Sequence, residues 1–488
     1  MQNSKTMYIA SAENYLLKNG VLQKVWDCLE TLNQETEGGL RHLTQKKKEP
    51  MWRRASVLDK QGQESGWMSE IFGQVVDNPR KLRGVRLEYL LFEECFGKGT
   101  KVVMSDFSIK NIEDIIIGDF VLGIDGKPKE VMRTCTGIDD LYLVKQKKGF
   151  DYIVNSKHKL YFESRPRVSN MPDEIKLMTA KEYNDLSSYY KRTTYGLRNN
   201  AIEYSQDKIN IDPYLLGLWL GDGFSASTTI CVNESKDPEI SSFLNKFSKS
   251  NGFYIRKSPS TTYKTGKTKD AVINYYIRNN EICKNELSKL FRKYNLLNNK
   301  HIPKEVFEST LNYRLKVLAG LIDTDGNLKR GSNSYSFNYE ISMARKELID
   351  EIELLARTCG FSVKKKKRIM KNGYKKNSIA YRLSIKGDIR NIPVKVERKK
   401  IPNDYLETSN KLSTGIDSID CIGKGEYFGI TLKSYGDKQT DNLFLLEDFT
   451  IVHNCGSFNG LVTVYNQSEA LVNLLGKKIG TRILWGKK

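Results

Sequence analysis

No stretch of this 488-residue sequence approaches the roughly 20 consecutive apolar residues that cross a bilayer, and the opening MQNSKTMYIA has no apolar core of the secretory kind. A membrane partner is therefore not expected, and the expected location is the cytoplasm. The eight cysteines, Cys28, Cys95, Cys135, Cys231, Cys283, Cys359, Cys421 and Cys455, never form a C-x-x-C pair, so the usual spacings of zinc sites and thioredoxin-like sites are missing. A phosphate-binding loop is missing too. Gly266-Lys267-Thr268 imitates its end, but Thr261 stands where its first glycine belongs. Acidic residues are outnumbered, 58 against 79 Lys and Arg, and a net charge of +21 points to a polyanion such as nucleic acid. What is present suffices for three or four compact domains with ordinary cores, since 39% of residues are hydrophobic.

Along the chain the texture changes several times. Residues 1–94 read as a polar, partly helical start followed by a strand-like run from Val85 to Phe92 that ends in Glu93-Glu94. From Cys95 to about Phe162, short β-branched runs are broken by Gly-Asp, Asp-Gly and Lys-Gly signals, the pattern of a compact all-β unit with hairpins. A similar piece returns near Gly425 to Val452, so the β unit is split by an insert. The insert is an internal repeat. LLGLWLGDG (Leu215–Gly223), an amphipathic run, a basic turn, NYYIRNNEI and Lys300-His301-Ile302-Pro303 recur in the same order about a hundred residues later. The second copy has LAGLIDTDG (Leu318–Gly326), ELIDEIELLARTCGF, a turn at Asn372-Gly373, AYRLSIKGDI and Lys399-Lys400-Ile401-Pro402. Two α/β halves, each helix, sheet, helix, are expected, related by a pseudo-twofold axis about one shared centre.

CFGKGTKVVMSDFSIKNIEDIIIGDFVLGIDG resembles the N-terminal block of inteins, and FLLEDFTIVHNC resembles their C-terminal block. LLGLWLGDG and LAGLIDTDG resemble the paired signature of LAGLIDADG homing endonucleases. The ordered combination spans Cys95 to Cys455. The fold this implies is mixed: an all-β Hint splicing domain split by a two-fold pseudo-symmetric α/β LAGLIDADG domain and flanked by host fragments. The expected bounds are 1–94 for the first flank (the N-extein), 95–205 and 406–454 for the two parts of the splicing domain, 206–405 for the endonuclease (copies about 206–305 and 306–405) and 455–488 for the second flank.

The splicing that the resemblance implies uses residue types suited to it. Cys95 attacks the Glu94 carbonyl to form a thioester, because a thiolate is both nucleophile and leaving group. Cys455 takes over the acyl group, Asn454 cyclises on its own carbonyl, and an S-to-N shift joins Glu94 to Cys455. His158 and His453 fall where protons must move. The block around His158 usually reads Thr-x-x-His in the family and here has Asn155 in the Thr position. The family's frequent upstream histidine is missing from the last block, where Asn442 lies near that position. YFGITL followed by FLLEDFTIVHN looks like the variant in vacuolar-ATPase inteins. Splicing is expected to need no metal and no nucleotide.

For the insert, the resemblance implies that two motif helices deliver Asp222 and Asp325 to one centre, where Mg2+ would bridge them to the scissile phosphates. Lys300 and Lys399 are the implied basic residues, with Lys400 competing for the second role. Between each motif and its lysine lie basic, strand-like segments that include Lys264 and Lys267 in the first copy, and Lys364, Lys365, Lys366, Lys367, Arg368, Lys375 and Lys376 in the second. Two-stranded ribbons of this kind fit the major groove of duplex DNA. The expected partners are double-stranded DNA at the intein-less host allele and the host flanks in cis, with the protein a monomer. The joined flanks, RLEYLLFEE and CGSFNGLVTVYNQSEALVNLL, resemble a phage terminase ATPase around its Walker B strand. Two other readings compete: a splicing-only element with an inactive nuclease fold, and a DNA-packaging ATPase with an inserted DNA-binding domain.

Overall fold

The computed structural model describes residues 6–11, 40–45, 51–58, 64–75, 86–91, 95–165, 174–259, 272–279, 286–331, 337–370, 378–402, 413–433, 442–453 and 457–463. Among these, no helix is long and apolar enough to cross a membrane.

The first unit is mostly β, as its short β-branched runs and tight turns require, but it is not the all-β unit expected: two short helices, Ala180–Asn184 and Ser188–Thr193, interrupt it, the first started by a capping box of Thr179 and Glu182. The strands of its main sheet are β1 (Phe96–Gly97), β2 (Phe120–Leu122), β3 (Pro128–Gln146), β4 (Tyr152–Asn155), β5 (Lys159–Ser164), β6 (Glu174–Thr179) and β7 (Thr194–Leu197), joined by a long return strand, Ser413–Leu432. The sheet order is β6-β5-β7-return-β1-β4-β3-β2, and β3 also pairs with the return strand from Val131↔Leu432 to Gln146↔Ile416, so the sheet closes on itself. Gly126 sits at φ 76° in the turn from β2 to β3, a left-handed position that Asp-Gly turns supply at little cost. The return strand begins at Ser413, well before the β piece expected from Gly425, because its early residues pair with β7. Phe96, Val121, Val144, Val154, Phe162, Ile430 and Phe444 are among the residues of this unit's own core.

The insert begins with α1 (Pro213–Asp222), which is N-capped by Asp212 (Oδ1 accepting from the Leu215 N–H at 2.8 Å) and has Pro213 in its first turn. It continues through β8 (Ile230–Asn233), α2 (Pro238–Ser250), β9 (Phe253–Pro259), β10 (Val272–Asn279) and α3 (Glu286–Lys293). The second copy runs α4 (Leu311–Asp325), β11 (Gly326–Arg330), β12 (Phe337–Met343), α5 (Lys346–Thr358), β13 (Ser362–Met370) and β14 (Ser378–Lys386). The sheets have orders β8-β10-β9 and β11-β12-β14-β13. The first copy has a single bridge, Gly223↔Ile230, where the second forms the full β11–β12 hairpin. The second copy ends in two 3-10 turns, Ile389–Asn391 and Glu397–Lys399, rather than the closing helix expected. Pro393 lies between them, lacks an amide donor and biases Ile392 away from helical geometry.

α1 is buried on every side from Tyr214 to Leu220, as an all-apolar helix must be. Its core also takes in Val103, Phe107, Leu122, Leu445 and Phe449 of the β unit. Phe107 stacks on Phe307 with ring centroids 5.1 Å apart. At the same seam the fully buried Arg314 donates to the carbonyls of Ser309 (3.1 Å), Thr358 (2.6 Å) and Ile202.

In the first flank the described residues are all strand, and the helical part expected there lies outside them. The strand-like run before Cys95 appears as Arg86–Leu91, which pairs antiparallel with Ser457–Thr463.

Candidate functional site

Two sets of chemistry-bearing residues come together, one in each unit. In the β unit, Cys95 leads into β1, which lies between β4 and the return strand, with Phe96 opposite both Val154 and Phe428. Cys95 is fully buried. Its backbone N–H donates to Asn155 Oδ1 at 3.0 Å, and the Asn155 N–H donates to the Cys95 carbonyl at 3.0 Å. Asn155, in the position usually held by Thr, thus grips the nitrogen of the 94–95 peptide bond. The His158 N–H donates to the Asn155 carbonyl at 3.2 Å, and its ring lies 4.5 Å from that of Phe96, both side chains buried. His453 is also buried and closes a two-stranded ladder, Leu443↔His453 to Leu445↔Ile451. Asn454, Cys455 and Glu94 lie outside the described residues.

A residue not singled out from sequence sits in the turn of this ladder, between Leu445 and Ile451. Asp448 is buried, accepts from the N–H groups of Phe150 and Thr450 (both 3.0 Å) and lies 3.5 Å from Arg198. Its carbonyl accepts from Arg357 of α5 at 3.1 Å. Burial alone would raise its pKa, but Arg198 and Arg357 hold the carboxyl below the usual range. Arg357 is in turn paired with Glu353 at 2.6 Å. An acid inside the apolar FLLEDFTIV run, and an arginine next to the apolar stripe of α5, were the available signals.

In the insert, α1 and α4 meet through glycines. A methyl group on Gly217 would lie 2.9 Å from Gly320 Cα, and one on Gly320 would lie 2.7 Å from the Leu218 nitrogen. Backbone contact this close brings the two C-terminal carboxylates together. The Cβ position at Gly221 is 3.1 Å from Asp325 Oδ2. Burial, reinforced by the like charge of Asp325, pushes Asp222 up to about 7, while Lys300 and Lys399 oppose the rise. Burial also raises Asp325.

Each lysine caps the end of one motif helix. Lys300 Nζ donates to the carbonyls of Leu220 (3.1 Å) and Gly221 (2.9 Å). Lys399 Nζ donates to those of Ile322 (2.9 Å), Asp323 (2.7 Å) and Thr324 (3.2 Å). Burial lowers Lys300 to about 8 and lowers Lys399 as well. Lys400 points elsewhere, exposed and paired with Glu397 at 2.6 Å, so geometry favours Lys399 over its neighbour. The motif's other acid, Asp323, is a structural staple. It is fully buried and accepts from Tyr214 Oη at 2.6 Å and from the Lys395 N–H at 2.7 Å.

Among the described residues, no third His, Cys, Asp or Glu joins Asp222 and Asp325 in a metal-holding group. Two half-buried carboxylates whose mutual repulsion is incompletely offset fit a hard divalent cation, which would leave the remaining positions to water and phosphate oxygens.

Of the expected DNA-contacting residues, Lys364, Lys366, Lys367 and Arg368 are exposed on β13. Lys365 departs from them. Strand alternation turns it towards α5, where it pairs with Asp350 and Glu353, each at 2.6 Å, and its charge is spent inside the fold. Lys264, Lys267, Lys375 and Lys376 lie outside the described residues. In the first copy, Arg256 and Arg278 are exposed on β9 and β10.

Comparison with known proteins bears on both units. Residues 95–203 match the family model "Hom_end-associated Hint", and residues 312–392 match the model "LAGLIDADG-like domain". The chain is 21% identical to the catalytic subunit of the V-type proton ATPase of Candida tropicalis, over 76% of this chain and 44% of that protein. It is 29% identical to the homothallic switching endonuclease of Saccharomyces cerevisiae, over 30% of this chain and 27% of that protein. The chain thus spans less than half of the length of either relative. Among solved structures it is similar to the AceL NrdHF class 3 split intein, with 28% identity, a TM-score of 0.17, and coverage of 22% of this chain and 64% of that one. Together the two domain matches support an intein with a homing endonuclease.

Proposed function

We propose that residues 95–454 excise themselves and ligate their flanks, and that the insert cuts both strands of DNA at the host allele lacking the intein. The splicing reading is carried by the grip of Asn155 on the Cys95 amide. Cys95 Sγ attacks the Glu94 carbonyl and the bond from that carbonyl to the Cys95 nitrogen breaks. The nitrogen becomes an amine, and Asn155 Oδ1 is placed to accept from it as it gains a proton. His158, whose buried ring contacts that of Phe96, is the proposed donor of that proton. Cys455 then receives the acyl group, Asn454 cyclises, and His453 assists at the second junction.

The nuclease reading rests on α1 and α4 delivering Asp222 and Asp325 to one centre. The two copies are then pseudo-twofold halves, each contributing one acid and one helix-capping lysine. Mg2+ bound there would activate water and neutralise charge on the leaving oxygen. Lys300 and Lys399 supply positive charge next to the scissile phosphates. The β13–β14 and β9–β10 ribbons carry the exposed cations that would follow the DNA backbone, and the flanks belong to a terminase-like host.

The test is intact-mass analysis of the chain expressed in bacteria beside Cys95→Ala and Asn454→Ala variants, followed by cleavage of a plasmid carrying the joined host junction. Release of a fragment with the mass of residues 95–454, together with ligated flanks, is expected from the unaltered chain only. An unprocessed chain in every sample removes the splicing reading, and an uncut plasmid removes the nuclease reading.

A further inference from the structure

The splicing unit holds a second thiol that the proposed chemistry does not use. Cys135 lies in the middle of β3, opposite Gly429 of the return strand. Its Sγ is 3.3 Å from Cys95 Sγ, in thiol–thiol hydrogen-bond contact. The pair sits with Leu141, Tyr427 and Ile153 in a small apolar cluster apart from the two main cores. Gly429 carries no side chain at the level of Cys135. Cys95 is fully buried, whereas Cys135 is partly open to solvent. Other cysteines are placed differently: Cys231 bonds to Asn274 at 3.1 Å, and Cys359 is buried in the endonuclease core.

We propose that Cys95 and Cys135 form a reversible disulfide that locks the precursor before splicing, with glutathione disulfide or a similar small disulfide as the oxidant. This rests on Cys95 being the splicing nucleophile. The more accessible Cys135 thiolate attacks one sulfur of glutathione disulfide, releasing one glutathione thiolate, which takes up a proton. Cys95 loses its proton and attacks the mixed disulfide at the Cys135 sulfur, displacing the second glutathione. The two protein thiols give up two electrons and two protons, and the oxidant becomes two reduced glutathiones. The sulfurs need only close from 3.3 Å to about 2.0 Å. In the disulfide Cys95 has no thiolate with which to attack Glu94, and a reducing environment restores it.

The full-length chain carrying Asn454→Ala and Cys455→Ala preserves the precursor for mapping. Equilibrated in glutathione buffers of rising oxidised fraction, alkylated and digested, it should yield a Cys95–Cys135 cross-linked peptide that dithiothreitol removes. In parallel, the unaltered chain should lose ligated product several-fold when expressed in bacteria with an oxidising cytoplasm, while Cys135→Ser splices equally in oxidising and reducing strains. Cys135→Ala serves the same purpose if the serine variant is insoluble. The absence of the cross-link at every buffer ratio overturns the proposal, as does a link from Cys95 to another cysteine or an equal loss of splicing in the Cys135 variants. A cross-link in a chain that splices in neither strain keeps the thiol pair and overturns the splicing reading instead.

Discussion

Adding one methyl group at Gly320 tests the geometry on which the proposed nuclease centre depends. The new Cβ would lie 2.7 Å from the Leu218 nitrogen and 2.9 Å from the Gly217 carbonyl carbon, both backbone atoms of the opposing helix that cannot rotate away. Carbon contacts are most favourable at about 3.5–4.0 Å, so α1 and α4 must part by roughly 1 Å. Alanine is a better helix former than glycine by about 1 kcal/mol, whereas overpacking a tight core costs about 1–3 kcal/mol. Parting the helices also loosens every contact along the seam. The second effect wins, and Gly320→Ala should be destabilised by about 1 kcal/mol net, about 2 at most. Because one movement relieves both clashes, Gly217→Ala combined with Gly320→Ala should cost less than the sum of the single changes. Gly196→Ala in β7 is the control, since its Cβ would meet Ile416 at an ordinary 3.5 Å. Denaturant unfolding and plasmid cleavage measure the outcome, with cleavage expected to fall together with stability as Asp222 and Asp325 separate. A Gly320→Ala chain as stable as the original and cutting DNA at the same rate would refute the argument.

Asp222→Asn should abolish cleavage and, in the presence of chelator, stabilise the chain in a pH-dependent way. Asp222 is raised from 3.8 to about 7, so the folded chain keeps a proton that the unfolded chain has lost, and stability from this group declines as pH rises through that window. The variant's advantage should therefore be absent near pH 4 and reach at most about 4 kcal/mol above pH 7, at about 1.4 kcal/mol per unit. Equal differences at pH 5 and pH 8 in denaturant titrations would contradict this. Asp448→Asn leaves the buried Arg198 without its carboxylate, while Arg357 keeps Glu353 and the Asp448 carbonyl, and should cost about 3 kcal/mol at pH 7. Because the carboxyl is held below its ordinary range, that difference should vanish as acid protonates Asp448 in the parent, which acid-unfolding curves will show. Asn155→Ala should slow thiol-induced cleavage at the 94–95 bond by about tenfold or more, with Asn155→Thr retaining most of the rate. Gel densitometry in an Asn454→Ala background measures it.

Much of this architecture is legible in the chain itself because repeats and turn chemistry are local. The Asp-Gly turn at Gly126 announces a hairpin, and the two glycine-bearing motifs announce paired helices that end in an acid. Lys300 and Lys399 are legible as corresponding positions because each stands near an Ile-Pro step in its copy. Choosing between Lys399 and Lys400 required the fold, since only the direction of one 3-10 turn decides which ammonium meets the α4 carbonyls. Lys365 resembles its neighbours in sequence, and only its strand face and the acids of α5 set it apart from the exposed cations of β13. Cys135 was one of several scattered thiols. Its nearness to Cys95 spans 40 residues of sheet closure, which no local pattern encodes. Asp448 and Arg357 meet across 91 residues for the same reason.

The hydrophobic core that runs from the motif helices into Val103, Phe107, Leu122, Leu445 and Phe449 has a practical consequence for trimming the molecule. A shortened β unit made by replacing the insert with a short linker would bare those five side chains to water and break the Arg357 contact with the Asp448 carbonyl. Such a unit would aggregate unless these positions were recoloured with polar residues, beginning at Phe107 and Phe449, whose left-handed φ values of 67° and 66° suit asparagine or glycine better than an aromatic ring.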